Sequence, residues 1–216
     1  IEPSDSMEVI RFLQEAYRIS EEFDTPVLFR ETTRIAHSQS LVELGGRMEI
    51  PLRPYQKDPA KYVMLPANAR KRHPLVEERR QKLEEFAEQT DLNRIEWRER
   101  RIGIVTSGAA YQYVREAVPD ASILKLGLVY PVPRQMVETL AAGVDELLVA
   151  EELEPFFEET IRSWGIPVRG RDLFPGIGEL SPRIVGEALG VPAAEGTIDP
   201  GADLPVRPPV MCPGCP

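Results

Sequence analysis

Histidine and cysteine are scarce, with two of each in 216 residues. His37 and His73 lie far apart, and neither has a second ligand at a spacing such as H-x-x-x-H, which argues against a histidine metal centre. Cys212 and Cys215 both fall within the closing PVMCPGCP, so a disulfide between them encloses too small a ring to staple the fold. Basic charge is short as well: the net charge is -9 and the pI is near 5.0, so no global field draws in nucleic acid. No run of 18 apolar residues is present to cross a bilayer, and IEPSDSMEV has neither the basic nor the apolar region of a secretory signal. These absences lead us to expect a cytoplasmic protein. Glycine-rich phosphate loops are also missing. GIVTSGAA follows a strand and opens a helix but matches neither G-x-G-x-x-G nor G-x-x-x-x-G-K-[ST], and the residues favour a tight strand-to-helix turn.

What is present suits a folded chain. Hydrophobic residues make up 42% and charged residues 28%, and a chain of this length buries roughly 70% of its extended surface. Asp5 is placed to cap a helix over residues 6–23, with Glu8 three positions on and apolar residues recurring at Val9, Phe12, Leu13, Ala16, Tyr17 and Phe23. TPVLFRETTRI then reads as a strand beginning beside Pro26. Periodicity fails from about Ala36 to Arg72, which marks a connector. A polar helix is expected from Pro74, with a narrow apolar stripe of Leu75, Val76, Leu83, Phe86 and Ala87.

Beyond Arg101 the pattern is regular. RIGIVTSG, SILKLGLV, DELLVAEE and the short IPVRGRD read as strands; AAYQYVREAV, PRQMVETLAAG, PFFEETIRSWG and SPRIVGEALG read as the helices between and after them. Short loops between alternating strands and helices predict a parallel four-stranded sheet with helices on both faces, an α/β fold in three layers. The proline-rich remainder reads as a linker. Ile1 is not a methionine, and nothing follows the C-x-x-C, so both ends are expected to lie inside a longer chain.

Four groups are candidates for chemistry. Arg34 and His37 stand where a strand end is expected, facing an anionic substrate or simply bonding backbone. Arg70, Lys71, Arg72 and His73 form a basic cluster whose neighbouring glutamates suggest a solvated face. Glu151, Glu152 and Glu154 follow a strand; if buried, such carboxylates raise one another's pKa, and otherwise they are a wet strand end. Cys212 and Cys215 supply two of the four ligands that zinc or an iron-sulfur cluster needs, and the chain holds no other cysteine. A thioredoxin-type role requires a strand before the pair and a helix after it, neither of which is present.

Seven blocks, DTPVLFRETTRIAHS, YVMLPANARKRH, RIGIVTSGAAYQYV, LKLGLVYPVP, LVAEELEPFFEE, GELSP and RPPVMCPGCP, occur in an order that resembles the large (alpha) subunit of indolepyruvate ferredoxin oxidoreductases, within the 2-oxoacid:ferredoxin oxidoreductase superfamily. That resemblance implies an internal piece of an enzyme that decarboxylates arylpyruvates oxidatively to aryl-acetyl-CoA. The parent would use thiamine diphosphate, magnesium and 4Fe-4S clusters, a smaller beta subunit, CoA and ferredoxin. It implies the end of a pyrimidine-binding domain at 1–40, a connector at 41–99, a transketolase C-terminal-like domain at 100–190 and a linker at 191–216 toward a pyrophosphate-binding domain. On this resemblance Arg34 and His37 fall beside the substrate region, and Cys212, Gly214 and Cys215 open the pyrophosphate domain. No catalytic residue, metal ligand or bound cofactor is expected within the piece itself. Without the cofactor as electron sink no side chain here stabilises the carbanion left by decarboxylation, so the piece is expected to be inert alone. The alternative is a non-catalytic α/β module holding CoA or another phosphorylated ligand at the turn after Ser107 or at the helix near Ser181.

Overall fold

The computed structural model describes residues 1–47, 49, 52 and 54–192. Helix α1 spans Ser6–Phe23; the Asp5 carboxylate accepts the Glu8 N–H at 2.8 Å and so caps it, as the sequence predicts. Asp24 ends the helix in the left-handed region at φ 50°. Residues 25–30 keep the alternating exposure of an extended chain, yet the segment 25–32 enters no sheet. Between its ends, where Thr25 N–H bonds Ser20 O of α1 and Thr32 O accepts the Ala36 N–H, the strap backbone bonds Ile1, through Arg30 N–H to Ile1 O and the Ile1 ammonium to Leu28 O. The expected strand is therefore corrected to an extended strap followed by the short helix α2, Thr33–His37. Its alternation encodes an extended backbone; it does not supply a neighbouring strand.

Helix α3 (Pro59–Tyr62) lies inside the segment read as aperiodic, and α4 runs Pro66–Gln89, eight residues earlier than expected. Pro66 takes the first helical turn, where its missing N–H costs nothing, and Pro74 sits inside the helix. Of the expected apolar stripe, Ala87 is buried and Leu83 and Phe86 pack partly against α1, whereas Leu75 and Val76 are exposed.

The sheet contains β1 (Arg94–Glu96), β2 (Glu99–Ser107), β3 (Ala121–Leu126) and β4 (Glu146–Ala150) in the order β1-β3-β2-β4. β2 pairs in parallel with β3 and β4, and β1 pairs antiparallel to β3. The α/β class and mostly parallel sheet agree with the sequence reading. The fourth strand, however, is β1 rather than IPVRGRD, whose pairing is limited to a bridge from Arg169 to Leu148 before Gly170 leads the chain away.

Alternate side chains of the strands point to opposite faces. Ile104, Ile123 and Leu148 meet α5 (Gly108–Ala117) and α8 (Pro182–Ala188) on one side. Val105, Leu124 and Val149 meet α6 (Arg134–Ala142) and α7 (Phe156–Ser163) on the other. A third cluster joins α1 to the end of α4 through Phe12, Ile19, Ala87, Leu92 and Leu128. No helix among the described residues is long and apolar enough to cross a membrane.

Candidate functional site

In parallel sheets the carboxyl ends of the strands are where loops leave room for ligands. Here β2 ends at Ser107 and β4 at Ala150, and between them opens a cleft of about 280 Å³. Its floor is the turn into α5, where Gly108 has φ 52°, a conformation glycine adopts without a Cβ clash. Arg30 and Thr32 of the extended strap close one side, and Glu151, Leu153 and Phe156 the other.

Carboxylates already occupy the positions an anion would want. Glu2 accepts from Ser107 Oγ at 2.6 Å and pairs with Arg30, so it sits at the N-terminus of α5. Glu151 accepts the backbone N–H groups of Phe157 and Glu158 at 2.8 and 3.0 Å and so caps α7 directly. Burial pushes the Glu151 carboxyl above its ordinary value and the nearby charge of Glu158 adds to the rise, while the backbone donors oppose both. Glu152 accepts the Leu180 N–H at 2.9 Å. The three glutamates read from the sequence thus divide. Glu151 is half-buried and serves a helix, Glu152 ties down the 180 loop, and Glu154 faces solvent.

Arg34 lines a second hollow that shares Arg30, Thr32, Glu152 and Leu153 with the first, and its guanidinium pairs with Glu179 at 2.6 Å. His37 is exposed at the end of α2, three residues along. The two sit on one short helix at the rim rather than in the cleft. Arg72 reaches toward Asp24 at 4.0 Å beside Lys61 and Arg79, so part of the basic cluster joins α4 to the end of α1. Cys212, Gly214 and Cys215 lie outside the described residues.

The sequence reading missed a fully buried charged group. Lys125, in β3, is fully buried and its Nζ lies 2.6 Å from Glu8 Oε2 and 4.5 Å from the Phe12 ring centre. Burial holds Lys125 below its ordinary pKa despite Glu8. For Glu8, burial would raise the carboxyl, but Lys125 and the Ser4 donors outweigh it and hold it below the usual range. A lone lysine between leucines in SILKLGLV was the available signal. Next to this pair, Arg94 and Arg115 bracket Glu96 and Tyr111, whose hydroxyl donates to Glu96 at 2.7 Å. The network joins α1, β1, β3 and α5 and borders no cleft described above.

The donors of the cleft do not suit a magnesium diphosphate. Its cation, Arg30, is committed to Glu2, and its other charged groups are carboxylates that would repel phosphate. Among the described residues no group of three or more His, Cys, Asp or Glu side chains is arranged to hold a metal ion. Ser181 Oγ accepts the Ile184 N–H at 3.2 Å and caps α8.

No family model matches the chain. All of it aligns with the indolepyruvate oxidoreductase subunit IorA of Methanothermobacter thermautotrophicus, 35% identical over 235 residues, and with IorA of Thermococcus kodakarensis, 35% identical over 248. IorA of Archaeoglobus fulgidus is 30% identical over 237 residues. The whole chain is similar to part of IorA. The resemblance carried by the seven sequence blocks is thereby borne out, and the IorA relatives are oxidoreductase subunits. The chain spans 38% of the length of each IorA relative. Among solved structures, 59% of the chain superposes on 23% of a chain of the 2-oxoglutarate:ferredoxin oxidoreductase from Magnetococcus marinus, with a TM-score of 0.45 and 19% identity; that protein has 2-oxoglutarate, coenzyme A and succinyl-CoA bound.

Proposed function

We propose that this chain is the central scaffold of an indolepyruvate:ferredoxin oxidoreductase alpha subunit. In the assembled enzyme, arylpyruvates are oxidatively decarboxylated to aryl-acetyl-CoA and CO2, with ferredoxin taking the electrons. Identity of 35% to IorA along the full chain carries this reading. Thiamine diphosphate, magnesium and the 4Fe-4S clusters belong to other parts of the subunit, and a smaller beta subunit completes it. The cleft chemistry supports that division, because its carboxylates are spent on helix termini rather than on a cofactor. Residues 1–40 close a pyrimidine-binding domain, 41–99 connect, 100–190 form a transketolase C-terminal-like domain, and 191–216 lead to the pyrophosphate-binding domain. Arg34 and His37 look toward the substrate of the neighbouring domain, and Cys212, Gly214 and Cys215 open the cofactor domain. The enzyme works in the cytoplasm.

The test is an anaerobic assay of indolepyruvate- and CoA-dependent dye reduction. A full-length IorA-type subunit containing this sequence, assembled with its beta subunit, is expected to turn over, and the 216-residue chain alone is expected not to. Turnover by the bare chain overturns the scaffold role. Calorimetric titration of the bare chain with thiamine diphosphate and with CoA separates the rival: CoA affinity without thiamine binding favours a module for phosphorylated ligands. For that rival a phosphate would have to displace Glu2 from the start of α5.

A further inference from the structure

The first residues of the chain carry one rung of a parallel ladder. The Ile1 ammonium donates to Leu28 O at 2.9 Å, and Ile1 O accepts the Arg30 N–H at 2.9 Å. A residue that bonds those before and after its opposite number is paired in parallel, so Ile1 stands opposite Phe29. The side chains agree, because paired residues share a face and both Ile1 and Phe29 pack into the cluster beneath α1. Glu2 turns its N–H the other way, to Gly127 O at 2.8 Å just past β3, as the next residue of a strand does. Between the two partners runs α1, so an extended segment, a helix and a second extended segment follow one another with the extended pieces parallel and adjacent. That is the plan of a βαβ unit whose first strand is represented by Ile1 and Glu2.

This ladder can grow in one direction only. Pro3 has no N–H to give to Arg30 O, so the pairing stops there. Backwards from Ile1 the edge is open: the next rung uses Leu28 N–H and Pro26 O, and neither has a partner among the described residues. An open edge of this kind is a template for another strand. Continuity fixes which strand. The Ile1 nitrogen is held where a peptide N–H would serve, and burial keeps its ammonium below the ordinary pKa although Glu2 opposes this. A residue joined to that nitrogen starts opposite Leu28, and the one before it stands opposite Val27, with no turn required. The IorA relatives are far longer, this chain spanning 38% of them. The second residue before Ile1 shares the face of Ile1 and Val27, over the cluster under α1, and is therefore expected to be apolar.

We propose that the open edge of the strap, at Pro26 and Leu28, pairs with a parallel strand formed by the residues that immediately precede Ile1 in the full-length subunit, which makes α1 the crossover of a complete βαβ unit. The proposal rests on the reading of the chain as part of an IorA-type subunit and adds to it the contact through which that part is joined to the polypeptide before it.

Hydrogen exchange resolved to single amides by electron-transfer fragmentation tests it on the full-length alpha subunit containing this sequence. The Leu28 amide and that of the second residue before Ile1 are each expected to exchange at least about a hundredfold more slowly than an unstructured amide. Free exchange at either one overturns the proposal. So does protection of Leu28 that appears only when the beta subunit is added or only as the protein concentration rises, since the strand is then supplied by another molecule. Leu28→Pro removes the N–H of that rung and is expected to speed exchange at the second residue before Ile1 at least about tenfold. An unchanged rate there means that the two segments are not paired and overturns the proposal; should the variant not fold, the wild-type rates decide. Indolepyruvate oxidation is measured on the same wild-type subunit assembled with its beta subunit. Protection without activity counts against the functional reading alone, and activity without protection counts against the strand alone.

Discussion

Lys125 shows what one residue decides. Its ammonium is removed from water completely, and the Glu8 carboxylate 2.6 Å away is what makes that tolerable. Removing Lys125 leaves the partly buried Glu8 to Ser4 and Arg94, so Lys125→Met is expected to cost about 1–3 kcal/mol in urea unfolding. Adding Glu8→Leu should recover most of the loss. The pair also sets an acid dependence. Glu8 titrates below its ordinary value of 4.5 in the folded state, so its contribution is complete above that pH and disappears as the pH falls through the folded value. Glu151 has the opposite sign: its raised carboxyl weakens the fold as pH climbs from 4.5 through the folded value. In urea titrations from pH 7 to pH 3, the stability gap between wild type and Glu8→Gln should shrink on acidification, whereas the corresponding gap for Glu151→Gln should move in favour of wild type. Gly127 is constrained sterically: a Cβ there would lie 2.6 Å from Leu92 O and 2.7 Å from the Phe12 ring. Gly127→Ala is expected to cost about 1–3 kcal/mol, measured in the same way.

At the scale of elements, α4 is two helices in one. Its last turns carry Leu83, Phe86 and Ala87 against α1, and its first half is exposed, with Pro74 removing a hydrogen bond midway. Local opening should follow this division, with amides of 67–78 exchanging well before those of 83–89. Pro74→Ala restores the missing bond and should raise ellipticity at 222 nm and slow exchange in the first half. The global unfolding midpoint should hardly move, because that half buries almost nothing. The sequence reading began α4 at Pro74 because proline opens helices, and the stretch before it lacks apolar periodicity. An exposed helix needs no apolar stripe, so the earlier turns left no trace in the pattern. β1 escaped for a related reason: three residues are too short for alternation to register, and they become a strand through their pairing with β3.

For the whole molecule, α1 is what closes the structure. It covers Leu92 and Leu128 with Phe12, Ala16 and Ile19 and brings Glu8 to Lys125. Deleting residues 1–24 exposes that cluster and orphans the lysine together. The truncated chain should therefore unfold at a lower urea midpoint than Lys125→Met, and a midpoint equal to that variant's would mean that the α1 packing contributes nothing beyond the pair. The same segment brings Glu2 to the start of α5 and the strap to the side of the cleft, so the architecture of the candidate site depends on a contact 105 residues apart in sequence.

The sequence by itself determined what is local. The Asp5 cap and the 3.6-residue period of α1, the helices after β2, β3 and β4, the Ser181 cap and the α/β class could all be read from spacing, because caps and amphipathic faces depend on residues within one or two turns. Tertiary structure alone decided which distant groups meet. The Glu2–Ser107, Glu8–Lys125 and Arg34–Glu179 contacts, the antiparallel seat of β1 and the isolation of the strap all follow from sheet order and register. Those depend on the free energy of packing the entire chain, and no short window of residues contains it.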